Sequence, residues 1–204
     1  KVSVGVRLGA NKIFSKILES LGYECKPLNE GMGVIFSNCS DSRFSGIGIS
    51  WGCGMTNVAV SYRGIPSLQF SVGRGGDYID QCVSDSVGVP VSRITGLKER
   101  KLKLDEEIDS NNFKEKQVLD ALKFYYQDLI SYVLKHLVNA FKSNNNNLEI
   151  GEDIPIVISG GTSLPSGFTD MVRNILEKTP DFPYSISEIR TAKDPLSAVA
   201  LGNL

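Results

Sequence analysis

Two glycine-rich stretches decide the fold: ISWGCGMTNVAV, from Ile49 to Val60, and IPIVISGGTSLPSGF, from Ile154 to Phe168. In each of them an apolar run rich in β-branched residues ends in a cluster of small residues. Glycine allows the backbone to turn tightly and to present its N–H groups to a ligand. Two such turns at the ends of strands predict a nucleotide that is held from two sides.

The composition is that of an ordinary globular protein. The chain has 204 residues, of which 41% are hydrophobic and 22% charged, and its net charge is -1. Since there is no block rich in Lys and Arg, nucleic acid and anionic membranes are poor partners. No apolar run is long enough to cross a bilayer, so no transmembrane segment is expected. The four cysteines lack C-x-x-C spacing and are typical of reduced thiols in a cytoplasmic protein.

Short apolar runs predict four main strands, and a shorter one near Tyr184–Ile186. The main strands are Gly46–Ser50, Asn57–Tyr62, Ser67–Val72 and Ile154–Ser159. The first three follow one another so closely that they form an antiparallel meander. The fourth is apolar throughout, as in strands that are buried on both faces. These features indicate an α/β fold with a mixed sheet and helices on both of its faces.

Glycine, proline and periodicity place the helices. Gly75-Gly76-Asp77 predicts the start of a helix that runs to Val87, and Pro90 precedes a helix from Val91 to about Asp105. The longest helical periodicity in the chain runs from Phe113 to Phe141. A further helix is predicted from Leu164 to Lys178.

The order of the motifs resembles the second half of an actin-like ATPase, the superfamily of actin, MreB, DnaK-type chaperones, FtsA and sugar kinases. The MreB-type branch is the most similar. Six elements carry the resemblance: a strand-to-helix turn, a short segment with a glutamate, the second phosphate loop, a Gly-Gly-Asp helix start, the adenosine motif and a terminal Asp-Pro-Leu helix. In chain order they are Arg7–Asn11, Asn29–Gly33, Ser50–Asn57, Gly75–Asp77, Gly160–Thr162 and Asp194–Gly202.

The resemblance implies a ribonuclease-H-like, actin-type ATPase domain with a small, mainly helical subdomain. Residues 1–43 are then expected to be a remnant of the first lobe. Residues 44–88 and 148–204 are expected to form the core of the second lobe, into which residues 89–147 are inserted as the helical subdomain. The N-terminal lobe is therefore expected to be incomplete, and we do not expect this chain alone to hydrolyse ATP.

The resemblance also implies which residues bind ATP or ADP. Backbone N–H groups of the second phosphate loop are expected to bind the phosphates, namely those of Gly52, Cys53, Gly54, Met55 and Thr56. The adenosine is expected next to Gly160, Gly161 and Thr162, flanked by Glu99 and Lys103, which are four residues apart on one predicted helical face. The alternatives are a plain hairpin, a plain strand-to-helix turn and a solvated ion pair.

For catalysis, the resemblance places Glu30 where relatives have the glutamate that orients the attacking water. The alternative is an ordinary glutamate that is favoured by the helix dipole. Ser50 departs from the family, which has an aspartate there that holds Mg²⁺ through water, and Asn57 replaces a frequent acid. A serine offers no charge to a hard cation, so no metal ligand is assigned with certainty.

The function implied is that of an ATP-binding, actin-like protein that forms cytoskeletal filaments by self-association, with weak, Mg²⁺-dependent ATP hydrolysis in its complete form. The short, mainly helical segment between Asp77 and Gly160 favours a filament protein over a chaperone. Two alternatives remain open. One is a degenerate actin-fold binding or scaffold module without turnover, and the other is a chaperone-like or small-molecule-kinase member of the same superfamily.

Overall fold

The computed structural model describes residues 13, 15–24, 26–108, 112–143 and 150–204. Its strands are β1 (Gly46–Trp51), β2 (Thr56–Tyr62), β3 (Ile65–Val72), β4 (Ile154–Ser159) and β5 (Ile186–Thr191). They form one sheet in the order β3-β2-β1-β4-β5. The β1–β2 and β2–β3 pairs are antiparallel, whereas β1–β4 and β4–β5 are parallel. The predicted mixed sheet is confirmed.

From Glu30 onward the helices are α1 (Glu30–Asn38), α2 (Gly76–Val87), α3 (Val91–Lys101), α4 (Phe113–Ser143), α5 (Phe168–Glu177) and α6 (Ala198–Leu201). A 3₁₀ turn over Gly161–Ser163 follows β4. Among the described residues, none of the helices is long and apolar enough to cross a membrane. The Arg7–Asn11 motif lies outside the described residues.

Alternating side chains of the strands fill a core on each face of the sheet, because successive residues of a strand point to opposite faces. Ile47, Ile49 and Trp51 of β1 belong to a large cluster that includes buried residues of α2, α3, α4 and α5. Ala59 of β2 and Val157 of β4 belong to a smaller cluster with α1 and α6. Helices therefore cover both faces, as predicted.

Helix α4 has 31 residues, and ten of them are buried. Its buried residues include Leu122, Tyr126, Leu129, Ile130 and Val133, and all of them share the large cluster with the sheet strands. This packing joins α4 to the sheet through one continuous core. The division of the chain into a first-lobe remnant, a second-lobe core and a helical subdomain stays a prediction.

Helix α1 lies against the sheet with almost no space between the backbones. A methyl group built on Gly48 of β1 would lie 2.1 Å from the carbonyl oxygen of Gly31 in α1. At the other side of α1, a methyl group on Gly202 would lie 1.8 Å from the carbonyl oxygen of Gly33. Since only hydrogen fits at Gly48 and Gly202, α1 is held by close backbone contact between β1 and the end of α6.

The predicted end of helix α3 is wrong. The helix stops at Lys101, and Leu102 has an extended backbone (φ -69°, ψ 122°). Leu104 donates its N–H to Ser166 O over 2.9 Å, and both leucines are buried. A helix that continued to Asp105 would give up this contact, so burial of the two leucines ends it early.

Two other boundaries also differ from the predictions. The strand predicted near Tyr184–Ile186 is β5, Ile186–Thr191, which pairs with β4 at the edge of the sheet. The helix predicted from Leu164 begins at Phe168, after Gly167 adopts a left-handed conformation (φ 77°). A left-handed residue cannot lie inside a right-handed helix, so Gly167 separates the 3₁₀ turn from α5.

Candidate functional site

The parallel pairing of β1 with β4 brings the two glycine turns together. Ser50 of β1 is opposite Ser159 of β4, so both strands end at the same edge of the sheet. The turn after β1 is Gly52–Met55, and the turn after β4 contains Gly160, Gly161 and Thr162. The Thr162 hydroxyl donates a 2.9 Å hydrogen bond to Gly52 O, which links the two turns directly.

The first turn uses part of its backbone to hold its own shape. Gly52 donates its N–H to Met55 O over 3.0 Å. The carbonyl oxygens of Gly52 and Cys53 accept from the first N–H groups of α2, at Gly76 (3.1 Å) and Asp77 (2.8 Å). Within the described part of the chain, the N–H groups of Cys53 and Gly54 form no hydrogen bond, and both residues are exposed. These two residues are the best placed of the predicted phosphate-binding set.

The two glycines of the second turn have different roles. Gly160 has φ 97°, and a methyl group there would lie 2.3 Å from Trp51 O, so the fold itself requires glycine. Gly161 is exposed, and the nearest atom to a methyl group built on it is Leu196 Cδ2, 3.8 Å away. The space above Gly161 is therefore open, and it belongs to a cleft.

This cleft has a volume of about 710 Å³, which is sufficient for a cofactor-sized ligand. It lies between the two turns, α2, α3 and α4. Four of the predicted site residues line it, namely Cys53, Glu99, Gly161 and Thr162.

Lys103 does not share a helical face with Glu99, because α3 has already ended at Lys101. Its ammonium group lies 2.7 Å from Glu106 Oε1, and it is not among the residues that line the cleft. Hydrogen bonds and charge from Glu106 raise the pKa of Lys103. The prediction that Glu99 and Lys103 share one helical face is therefore wrong.

Sequence reasoning missed a buried ion pair in the wall of the cleft. Lys98 Nζ lies 2.7 Å from the Asp80 carboxylate, and the side chains are only 13% and 4% exposed. Thr95 donates a 2.8 Å hydrogen bond to the same carboxylate. The sequence contains a signal for this pair, because Asp80 lies between Ile79 and Val83 on the apolar, buried side of α2. A charge in such a position requires a partner.

Tyr126 of α4 also lines the cleft, and its residue surface is 1% exposed. Its ring packs edge-on against Phe168, with 6.1 Å between ring centroids. Burial, followed by the charge of Asp80, raises the pKa of its hydroxyl, so the group keeps its proton at neutral pH. The charged side chains that line the cleft are three carboxylates, Asp77, Asp80 and Glu99, and one ammonium, Lys98.

The proposed catalytic Glu30 lies at the N-terminus of α1, next to the end of β1. Asn29 caps this helix by accepting the Gly31 N–H over 2.8 Å. The hydroxyl of Ser50 donates a 2.9 Å hydrogen bond to Glu30 Oε2, so the glutamate carboxylate already has a partner. Glu30 and Ser50 do not line the cleft around Lys98.

The described residues do not fit a magnesium ion that is held by protein ligands. They contain no group of three or more His, Cys, Asp or Glu side chains that are arranged to bind a metal. Asn57, where relatives have an acid, accepts a 2.5 Å hydrogen bond from Ser71. We therefore assign no protein ligand to a magnesium ion and derive no catalytic step that depends on one.

The fold is similar to that of solved actin-like proteins. MreB5 of Spiroplasma citri bound to ADP matches 94% of this chain and 63% of its own, with 12% identity and a TM-score of 0.65. A non-polymerising MamK mutant bound to AMPPNP matches 85% of this chain and 56% of its own, with 18% identity and a TM-score of 0.62. The ethanolamine utilization protein EutJ from Carboxydothermus hydrogenoformans matches 86% of this chain and 53% of its own, with 16% identity and a TM-score of 0.54.

These likenesses show an actin-like fold, as the motifs predicted. The chain spans between 53% and 63% of the length of these three neighbours. A search of curated proteins finds no match. The family model of Volactin matches residues 7–204, nearly the whole sequence, and the chain therefore belongs to the Volactin family.

Proposed function

We propose that the protein binds ATP or ADP in the cleft between the two glycine turns. The observation that carries this proposal is the link between the turns. They leave the same edge of the sheet, are joined by the Thr162–Gly52 hydrogen bond, and border a cleft of about 710 Å³. The neighbours MreB5 and MamK, which were solved with ADP and AMPPNP, support the same ligand class.

The charges of the cleft suggest how a nucleotide lies in it. Its side chains carry three carboxylates and one ammonium, which repel a polyphosphate and accept a neutral nucleoside. The phosphates therefore lie at the turns, where Cys53 and Gly54 are exposed and their N–H groups form no hydrogen bond within the described part of the chain. Backbone N–H groups bind phosphate without the cost of desolvating a charged side chain.

Lys98 and Glu99 are the side chains of α3 that are best placed beside the nucleoside. The Lys98 ammonium has three protons, of which one is donated to the Asp80 carboxylate (2.7 Å) and one to Gly76 O (3.5 Å). Glu99 is exposed at the edge of the cleft. Lys98 thus takes the place that the sequence motifs assign to Lys103.

A Gly161→Val substitution tests the binding site. It adds a branched side chain to the open side of the turn, where the nearest protein atom is 3.8 Å from the new Cβ, so folding is preserved while the cleft is filled. We expect calorimetric titration with ATP to show at least a hundredfold loss of affinity (about 2.7 kcal/mol).

Gly151→Val is the matched control, since a methyl group at Gly151 meets none of the described atoms within 4 Å and the residue precedes β4 at the opposite edge of the sheet. It should bind ATP like the wild type. Equal affinities for Gly161→Val and the wild type, with both variants folded, would contradict the proposed site.

We further propose that the complete protein hydrolyses ATP slowly, with Glu30 orienting the attacking water. Glu30 is hydrogen-bonded to Ser50, near the end of β1 from which the phosphate turn leaves, and a carboxylate accepts a hydrogen bond from water as attack begins. Glu30→Gln should then lower turnover about a hundredfold while the affinity for ATP stays unchanged. Phosphate release over hours, measured alongside calorimetry, separates the two effects.

A second candidate function, a nucleotide-binding scaffold without turnover, is favoured by the Ser50–Glu30 hydrogen bond. This bond takes up one acceptor position of the carboxylate, on Oε2, and Ser50 supplies no charge for a cation. If the wild type binds ATP but releases no more phosphate than Glu30→Gln, the scaffold is the better description.

Self-association into filaments is the cellular role that we propose. Among the neighbours, MamK has been solved as a double helical filament, and the likeness to this chain covers 56% of that protein. Sedimentation of the purified protein with ATP, ADP or no nucleotide tests the proposal. Nucleotide-dependent pelleting that is lost in Gly161→Val would support it, and identical sedimentation under all three conditions would contradict it.

A further inference from the structure

Tyr126 is the one tyrosine of the described residues that is both fully buried and a part of the cleft wall. Within the described part of the chain its hydroxyl forms no hydrogen bond, although Asp80 is close enough for its charge to act on the group. The hydroxyl is also not one of the enclosed polar atoms without a partner, such as Trp51 Nε1. It is therefore exposed to the cleft and not sealed in the core.

A buried hydroxyl with no protein partner is costly unless something else accepts its hydrogen bond. The ring is held in place by Phe168, with an interplanar angle of 82°, so the hydroxyl cannot swing out of the cleft without losing this packing. Its position is fixed in advance, as in sites that select a ligand by one hydrogen bond.

The neighbours of the hydroxyl decide which part of a ligand it meets. Asp80 lines the same cleft, and its charge acts on the hydroxyl; Thr95 donates a hydrogen bond to the Asp80 carboxylate. Lys98, the one ammonium among the described residues that line the cleft, is already paired with Asp80, and Asp77 and Glu99 add two further carboxylates to the same wall. A phosphate in this place would therefore be repelled. The group above Tyr126 is thus uncharged.

We infer that Tyr126 is a specificity-determining residue whose hydroxyl donates a hydrogen bond to the nucleoside part of the bound nucleotide and makes no contact with the phosphates. This inference rests on the proposed nucleotide site. It assigns to the long helix α4, through a residue of its apolar stripe, a direct part in ligand recognition.

The test compares Tyr126→Phe with the wild type for two probes, ATP and inorganic tripolyphosphate. The substitution keeps the ring and its contact with Phe168, so the unliganded melting temperature should not change. We expect the dissociation constant for ATP to rise about fivefold, as for the loss of one hydrogen bond. The constant for tripolyphosphate, which lacks a nucleoside, should stay the same.

Tyr125→Phe is the matched control, because Tyr125 is adjacent in α4 but does not line the cleft. It should bind both probes like the wild type. Equal ATP affinity of Tyr126→Phe and wild type would overturn the inference while leaving the nucleotide site intact, and an equal loss for both probes would overturn it as well. Absence of ATP binding by the wild type would instead contradict the proposed function.

Discussion

The glycines of the α1 contact and those of the two glycine turns look alike in the sequence but have different roles. At the α1 contact, Gly48 and Gly202 are pressed against carbonyl oxygens, and no side chain fits. In the two glycine turns, a methyl group on Gly54 meets no described atom within 4 Å, and one on Gly161 meets only Leu196 Cδ2, at 3.8 Å. The first pair closes a packed contact, whereas the second pair leaves room for a ligand. Space around a glycine therefore distinguishes a structural requirement from a candidate binding function.

The largest expected effect is on the α1 contact. Gly48→Ala places a methyl group 2.1 Å from Gly31 O, a backbone atom that cannot move aside without shifting α1. We expect a destabilisation of about 3 kcal/mol or more, as for overpacked cores, and a melting temperature lower by roughly 10 °C. Circular dichroism recorded during thermal unfolding measures the two melting temperatures.

Gly54→Ala is the corresponding change in the first glycine turn, and it should leave the melting temperature within about 1 °C of the wild type because its methyl group meets no described atom within 4 Å. Equal destabilisation by the two substitutions would remove the distinction between the two glycine classes.

The cysteines offer a second comparison of the same two regions. Cys53 is exposed in the phosphate turn, whereas Cys39 is buried beside α1. Burial raises the pKa of the Cys39 thiol to about 11, so at pH 8 roughly one molecule in a thousand carries the reactive thiolate.

We expect iodoacetamide to modify Cys53 and to leave Cys39 unmodified in the native protein. If a nucleotide occupies the cleft, saturating ATP should slow the modification of Cys53 about tenfold, because the bound ligand shields the exposed thiol. Peptide mapping by mass spectrometry reads both sites in one experiment, with Cys39 as the internal control. The ATP concentration is one that calorimetry shows to be saturating. If the rate of Cys53 modification does not change at this concentration, the nucleotide does not bind beside Cys53.

Ser50 joins the two regions, since it lies near the end of β1 and donates to Glu30 of α1. Ser50→Asp sets a second carboxylate beside the first, and two such groups at short range repel each other. Without divalent ions we expect the free energy of unfolding to fall by about 1–2 kcal/mol. Millimolar Mg²⁺ should restore this stability by binding between the two carboxylates.

The uncharged Ser50→Asn is the control, and like the wild type it should not respond to Mg²⁺. Melting curves in EDTA and in Mg²⁺ are the measurement. A Ser50→Asp protein with no greater response than Ser50→Asn would exclude this place as a latent metal site.

The smallest effect is expected at the rim of the α1 contact, where Arg190 of β5 binds the loop after α1. It donates hydrogen bonds to both carboxylate oxygens of Asp41, at 2.7 and 2.9 Å. These hydrogen bonds and the charge of Arg190 lower the pKa of Asp41. A lowered carboxyl pKa contributes stability above the unfolded pKa, and this stability is lost as pH falls through the folded value.

Asp41→Asn should therefore cost less than about 1 kcal/mol at pH 7, since the Asp41 side chain is 59% exposed. The difference between variant and wild type should shrink as pH falls below about 4. Denaturant unfolding between about pH 3 and pH 7 gives the comparison. A difference that is constant over this range would show that the charge of Asp41 is not the cause.

Local patterns predicted the parts of the fold that depend on neighbouring residues. The apolar runs of β1, β2 and β4 and the glycine start of α2 were correct because burial on both faces and a tight turn leave a clear local signature. The end of α3 was not predictable in this way. Leu104 is hydrogen-bonded to Ser166, in a loop far along the chain, and a local pattern contains no information on that contact.

The candidate site shows the same limit. The two glycine turns are recognisable from the sequence, whereas the resemblance assigns Lys103, together with Glu99, to the adenosine. That choice depends on an expected helical face, and the structure ends the helix at Lys101, before Lys103 is reached. The apolar spacing of α4 assigns Tyr126 to the core, and only the three-dimensional arrangement reveals that its hydroxyl is at the wall of a cleft.

The pairing of β1 with β4 has a consequence for how the chain is made. Ile47 and its partner Ile156 lie far apart in the sequence, so on the ribosome β1 is complete long before β4 emerges. Contacts between residues that are so far apart in the sequence form slowly. Until then the β1–β2–β3 meander exposes an unpaired apolar edge that another nascent chain is able to join. We expect a chain that is truncated before Ile154 to aggregate, and this interval of synthesis to be the one in which a molecular chaperone is most needed.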